Sequence, residues 1–540
     1  MESIIKTFST HGTLVQPESL EYILTKENPK DFSQMIANQL TEYPLVLTIQ
    51  IIKEIEEKMN QEPNDFKPET ILDHSLNEEN KTITDQQTIM LEKPSQQIPK
   101  CKTIKEKPQP PLFISPSIWK PVAKDYDSEV KILSDITGNS LCEGTTNDFK
   151  KLFADRFDTL RSYLRTQRRE LMQVIPIKRV SKSSKDETQL IGIVNNIRTT
   201  QNGHRFFELE DDTGILPCIV LQNNIEAFTA AENIITDEII GIVGTPSKNG
   251  DLFLVNNVIY PDISMHNRQH ISHAPIVTAF LSDIHIGSRE FMDKSWRSFL
   301  KWINCEIGNK RQKTVAGKIK YLVIPGDVVD GIGVYPGQEN DLTIPDLYKQ
   351  YEELAKQLVH IPDYIKIIIQ PGNHDAVRPA EPQPTFEKEI QKLFSANDIT
   401  FISNPSTFSL HSVEILSYHG QSLLDYATNI QHLKFNEPIE IMKTMLQKHH
   451  LAPFYGGYTP LAPEHKDYMI IKKIPDIFVT GHVHLANLGE YRGVTLINAS
   501  SWQDQTGYQK MLNFVPNPAK LPIADLQTGN VTMMDFTQTL

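Results

Sequence analysis

Asp283 and His285, in "SDIHIGS", stand two residues apart, and so do His482 and His484, in "GHVH". Between these pairs lie Asp327 in "GDVVDG", Asn373 and His374 in "GNHD", and His419 in "YHG". Carboxylates, a carboxamide and imidazoles gathered on one centre would make a mixed oxygen and nitrogen ligand set. Such a set suits Mn2+, Fe2+ or Zn2+ better than an all-oxygen calcium cage or a thiolate zinc knot would. Taken singly the motifs are ordinary, since an Asp-x-His is most often a turn and a surface histidine. Their shared setting is not ordinary. Each follows a run rich in β-branched residues ("PIVTAF", "YLVIP", "IIIQ", "EILS", "DIFVT") and so reads as the end of a buried strand. Side chains two apart on extended backbone point the same way, which would let each pair serve one cavity.

The elements that must position these residues belong to a chain of 540 residues, too long for one core, so two to four domains are expected. The formal net charge of -13 excludes a protein that coats nucleic acid through bulk charge, so any such contact must be local or supplied by a partner. Cys101, Cys142, Cys218 and Cys305 are too scattered for a zinc knot or a disulfide framework and read as free thiols. No apolar run approaches a membrane span, and "MESIIKTFST" lacks the basic-then-apolar pattern of a signal peptide. A cytoplasmic protein without membrane contact is expected.

Composition divides the chain. Residues 1–60 alternate apolar and polar at helical spacing and predict a small helical domain, either an inert cap or a docking module. Residues 61–112 carry seven prolines and one aromatic, Phe66, too little apolar surface to offset chain entropy, and predict a disordered linker. Within 113–270, Phe153, Phe157, Leu160, Leu164 and Leu171 form one apolar helical stripe. Between Lys150 and Lys185 eleven Lys or Arg face three Asp or Glu, which reads either as a solvated face or as a phosphate-tracking patch. Short strands separated by Asn-Gly and Thr-Gly turns then predict a small antiparallel barrel. Its "ELEDDTG" turn resembles an OB-fold, which would either stack single strands on Phe206 and Phe207 or dock protein. In "HHLAPFYGGYTPLAPEHKDYM", His449, His450 and His465 lie away from the five motifs, and Phe454 and Tyr455 suggest a rigid loop, either packed internally or gripped by a partner or a DNA end.

The set "SDIHIGS", "GDVVDG", "GNHD", "YHG" and "GHVH" resembles the calcineurin-like metallophosphoesterase superfamily. The stretches "IPGDVVDGIGVYPGQE", "QPGNHDAVRPAEPQP" and "HHLAPFYGGYTPLAPEHKDYMII" narrow the likeness to the small subunits of archaeal family D DNA polymerases. That resemblance implies an α/β fold: a four-layer αββα metallophosphoesterase sandwich over 271–540, preceded by an all-β OB-fold and an N-terminal helical domain. It implies two divalent metal ions, Mn2+ first and Fe2+, Zn2+ or Mg2+ as alternatives. One would be held by Asp283, His285, Asp327 and His484, the other by Asp327, Asn373, His419 and His482, with Asp327 bridging. His374 is then left for acid work on the departing oxygen. Arg378, in the loop after His374, is placed either to meet a substrate phosphate or to serve only as a solvated surface charge. The implied activity is 3′–5′ exonuclease proofreading on single-stranded DNA ends. The implied partners are the large polymerising subunit and the sliding clamp. Two other readings compete: a free-standing metallophosphoesterase or repair nuclease, and a catalytically idle assembly subunit, against which the complete ligand set speaks.

Overall fold

All five β-rich runs form strands, and each lies parallel to another of the five. Val277–Phe280, Ile319–Pro325 and Lys366–Gln370 are neighbours in one six-stranded sheet, and Val413–Ser417 and Ile477–Thr480 in a second. Apart from Lys366 every residue of these strands is buried, which is why they read as continuous apolar runs and not as alternating ones. The first sheet is completed by Ile399–Phe401 on one side and by Lys520–Asp525 and Val531–Asp535 on the other. The second is completed by Asn487–Tyr491, Val494–Asn498, Ser406–Leu410 and, at its edge, Val130–Ser134. The chain thus lays down an edge strand of this sheet before it builds the barrel, a pairing that a linear division of the sequence does not reveal.

The computed structural model describes residues 7–8, 14–26, 28–40, 46–61, 120–180, 186–247, 251–265, 269–394 and 398–538. The linker expected over 61–112, apart from Gln61, lies outside the described residues, as does Cys101. The fold is mixed α/β with several sheets. The two six-stranded sheets share a core in which Phe280, Val323 and Ile368 of the first meet Phe408, Ile415 and Val479 of the second. The far side of the first sheet is covered by helices Asp293–Ile303 and Leu347–Leu358 through Trp296, Phe299, Trp302 and Leu354. The far side of the second is covered by Leu423–Asn429 and Pro438–Lys448 through Tyr426, Met442 and Met445. The layers therefore run helix, sheet, sheet, helix.

Thr188–Thr199, Arg205–Asp211, Gly214–Val220, Phe253–Ile259 and Ile239–Pro246 close, in that order, into a barrel. Phe207 fills its core with Leu190, Val194 and Phe253, while Phe206 stays partly open, with the Arg198 guanidinium 4.5 Å from its ring centre. Only one of the two adjacent aromatics thus reaches the surface. The helix Thr146–Gln167 starts with a reciprocal cap between Thr145 and Asp148 and buries Leu152, Arg156, Leu160 and Leu164. Phe153 and Phe157 flank that face instead of leading it, and an arginine sits in its middle. Part of the basic surplus is therefore structural: Arg156 is buried against Asp467, and Arg161 pairs with Asp158. Helices Pro17–Leu24, Pro29–Gln39 and Ile49–Gln61 gather around Phe8, Ile23, Ile36, Leu47 and Ile52. Among the described residues, no helix is long and apolar enough to cross a membrane, and Cys142, Cys218 and Cys305 are free thiols.

Candidate metal centre

The C-terminal ends of the five parallel strands bring all eight chemistry-bearing residues together from the two sheets. Asp283, His285 and His484 form one ligand-like group, Asp327, His419 and His482 a second, and His285, Asp330 and His374 a third. Asn373 joins the second group, its Oδ1 3.0 Å from His419 Nε2.

The expectation that the Asp-x-His and His-x-His pairs project from extended backbone is corrected. These residues lie beyond the strand ends, and Asp283, His285, Asp327, His482 and His484 all have φ between 49° and 69°, the left-handed region. Non-glycine residues enter that region at a cost and persist there when surrounding bonds hold them. Here the bonds run between strand ends: Asp283 N–H donates to Gly326 O at 3.1 Å and His285 N–H to Asp327 O at 3.1 Å. The Asp283 carboxylate accepts the His482 N–H at 2.9 Å, tying the first sheet to the second. His482 and His484 accordingly serve adjacent groups and not one. Space is as tight as the backbone: a Cβ on Gly372 would come 2.2 Å from Asp327 Oδ1, and one on Gly326, at φ +102°, 2.4 Å from His419 Nδ1.

Hydrogen bonds to the outer ring nitrogens assign the tautomers. His285 Nδ1 lies 3.0 Å from Asp330 Oδ1 and His419 Nδ1 2.9 Å from the Pro325 carbonyl, so both carry their proton there and turn Nε2 lone pairs inward. His285 Nε2 then faces His484 Nε2 at 3.1 Å, and His419 Nε2 faces Asn373 Oδ1 at 3.0 Å and Asp327 Oδ2 at 3.2 Å. Converging lone pairs repel unless positive charge sits among them. Burial opposes charge on Asp327, yet His419, His374 and His285 outweigh it and hold that carboxylate well below its ordinary range. Burial likewise opposes charge on His419, but Asp327 and Asp283 raise it to about 10, while burial and the His419 charge press His482 down to about 3. A proton or a cation satisfies this centre, and the imidazole, carboxylate and amide donors fit a divalent cation of intermediate hardness. Asp327 Oδ2, 3.9 Å from His285 Nε2 and 3.2 Å from His419 Nε2, stands between the two groups.

Several supporting residues are not evident from the motifs alone. Asp330, inside "GDVVDG", orients His285 and is itself held by Gln503 Nε2 at 3.0 Å. Asp375, inside "GNHD", accepts the Gly372 N–H at 2.8 Å and the Tyr351 hydroxyl at 3.1 Å; burial, then the Asp327 charge, push it up to about 7. Asn404 Oδ1 accepts the His419 N–H at 2.8 Å. A second Asp three residues after the first is a usable signal in "GDVVDG"; for Gln503, far along the chain, there is none.

His374 donates its backbone N–H to Asp327 Oδ1 at 2.9 Å, while its ring stands 4.7 Å from that of His285 with Nδ1 2.8 Å from the Asp330 carbonyl. Arg378 is occupied within the protein: its guanidinium pairs with Glu464 at 2.8 Å and donates to Ser140 Oγ at 2.8 Å and to the Pro382 carbonyl. The loop around Phe454 and Tyr455 packs on the helix Thr146–Gln167, where Tyr455 meets Phe149 edge-on at 4.9 Å. His449, His450 and His465 stay outside the centre, turned to Ile471 O, Asp467 and Asp148.

A family profile described as the B subunit of DNA polymerases alpha and epsilon matches residues 278–488, a span that contains all eight site residues. The DNA polymerase II small subunit of Methanocaldococcus jannaschii is 41% identical over 408 residues, 75% of this chain and 68% of that protein. That of Archaeoglobus fulgidus is 41% identical over 395 residues, 73% of this chain and 78% of its own. That of Methanothermobacter thermautotrophicus is 40% identical over 418 residues, 77% of this chain and 84% of its own. Among solved structures, asparaginyl-tRNA synthetase from Pyrococcus horikoshii aligns over 16% of this chain and 22% of its own at 18% identity, with a TM-score of 0.15, too slight to bear on the fold.

Proposed function

This chain belongs to the family of archaeal DNA polymerase II small subunits, those of family D polymerase, and from that premise we propose that it is the proofreading 3′–5′ exonuclease subunit of a replicative polymerase, assembled with a large polymerising subunit. We read the helix–sheet–sheet–helix layers as a calcineurin-like metallophosphoesterase sandwich, the barrel as an OB-fold, and the helices within residues 1–60 as a partner-docking domain.

One observation carries the catalytic reading. His419, its Nδ1 proton committed to Pro325 O, turns Nε2 onto two oxygens of Asn373 and Asp327 in a buried centre. Asp283, His285, Asp327 and His484 would hold one divalent ion, and Asp327, Asn373, His419 and His482 a second, with manganese the first candidate and iron, zinc or magnesium the alternatives. Two such ions, when bound, polarise a phosphodiester and activate water near neutral pH. The shared Asp327 carboxylate supplies two anionic oxygens. Asp330 fixes the His285 tautomer through its side chain and points the His374 ring through its carbonyl. With Nδ1 so engaged, His374 is free to carry a proton on Nε2 and deliver it to the departing oxygen. An idle assembly subunit would tolerate replaced ligands, and here all eight positions carry donor types.

The test is release of mononucleotides from single-stranded DNA by the purified chain, alone and with its large subunit, with Mn2+, Mg2+, Zn2+ or chelator. Metal-dependent digestion from 3′ ends is expected. Digestion untouched by chelator, or none in either form with any metal, overturns the reading. A chain that digests DNA yet captures no large subunit in a pull-down is a free-standing nuclease instead.

A further inference from the structure

The ligand cluster has a wall that metal binding does not use. Phe435, in the loop before the helix Pro438–Lys448, places its ring centre 6.4 Å from that of His482, at an interplanar angle of 83°. Phe514 lies 6.1 Å from Phe435, and both rings are only partly buried. The segment bearing Phe514 is pinned against the cluster. Gln509 Nε2 lies 3.2 Å from His484 Nδ1, the Phe514 N–H donates to Gln509 O at 2.9 Å, and the Asn517 N–H donates to His484 O at 2.9 Å. The same segment exposes Tyr508, Met511 and Val515. Single exposed apolar side chains are ordinary, but two partly buried aromatic rings in contact with each other, one of them against a ring of the buried charged centre, make an apolar surface beside that centre. Beside a phosphodiester the flat, apolar chemistry on offer is a nucleobase, and bases stack on aromatic faces.

We propose that Phe435 and Phe514 form the stacking face for the terminal nucleobase of a single-stranded 3′ end, so that these two rings determine the preference for unpaired DNA. The inference rests on the exonuclease reading and names how the substrate is chosen. A base in a duplex is already stacked and paired and must first give that up, whereas a mismatched or frayed base gives up less.

The test uses the full chain in chelator, binding a fluorescent trinucleotide that ends either in a normal 3′ nucleotide or in an abasic sugar. The parent is expected to prefer the normal end by roughly 5- to 150-fold, the range for one stacked base. A Phe435→Leu, Phe514→Leu double variant should lose most of that preference, and Phe514→Tyr should keep it. A double variant that discriminates as the parent does, or a parent indifferent to the terminal base, overturns the inference. Where the double variant fails to fold, Phe435→Leu alone carries the test, with a partial loss expected and parental discrimination overturning the inference. Failure of the exonuclease reading shows separately, as a parent that releases no mononucleotide with any metal.

Discussion

Charge is buried in two opposite ways at two places in this protein. At the seam between the helix Thr146–Gln167 and the C-terminal layers, each buried charge meets its opposite. Arg156 and Asp467, both at most 1% exposed, pair at 2.7 Å, and His450 Nε2 approaches the same Asp467 oxygen at 2.9 Å. Nearby Lys448 is paired with Glu238. At the strand ends, by contrast, donor atoms converge that a proton or a cation has to hold together: His285 on His484, and His419 on Asn373 and Asp327. Burial alone therefore does not distinguish a site from a strut. Whether the buried groups satisfy one another does, because the seam is complete as it stands and the centre needs a cation or a proton to become so.

The largest effect that would break this contrast is expected from Asp327→Asn, which removes the charge shared by both halves of the centre. Both metals should be lost together and digestion with them, by metal analysis and nuclease assay; two ions still tightly bound would show that Asp327 is no bridge. His374→Ala should lose about 10²- to 10⁴-fold in kcat while keeping fold, metals and partner, since that is the range for one acid–base group. A loss of metals instead would place His374 among the ligands.

At the seam, Asp467→Asn leaves the Arg156 charge buried without its counter-ion and should cost about 3–5 kcal/mol of stability in denaturant titration, with nuclease activity per folded molecule unchanged. The same pair predicts a pH dependence. Burial works against charge on Asp467, but His450 and Arg156 outweigh it and hold the carboxyl well below the usual range. A depressed carboxyl stabilises above its unfolded value, about 3.9, and that contribution fades as pH falls from there toward the folded value. Stability of the parent should thus drop below about pH 4 more steeply than that of Asp467→Asn, and equal slopes would show that Asp467 carries no such linkage. The smallest effect is expected from Asp330→Ala, which frees the His285 ring without removing a ligand and should weaken metal affinity by about 10- to 100-fold. Calorimetric titration showing parental affinity would mean that packing alone orients His285.

Much of the centre is legible in the sequence because its parts are local. A buried parallel strand leaves an uninterrupted β-branched run, and a ligand just past its end leaves a recognisable residue type. The same locality misleads where geometry has to be assumed. The i, i+2 spacing predicts extended backbone, yet the alignment of these pairs comes from left-handed turns held by bonds to other strands. Phe206 and Phe207 look equivalent as neighbours in the chain, and the barrel's closure puts one of them inside.

Donor types, the strands that end at them and the turn glycines that let Asp327 and His419 come so close are all present in the order of the residues. Which groups meet is a matter of packing. Gln503 reaches Asp330, Asp467 reaches Arg156, and Val130–Ser134 joins a strand that lies more than 250 residues later. The reason is physical: periodicity and turn chemistry act over a few residues, whereas these contacts exist only after two sheets have packed face to face, and no local pattern records which distant side chain that packing will bring alongside.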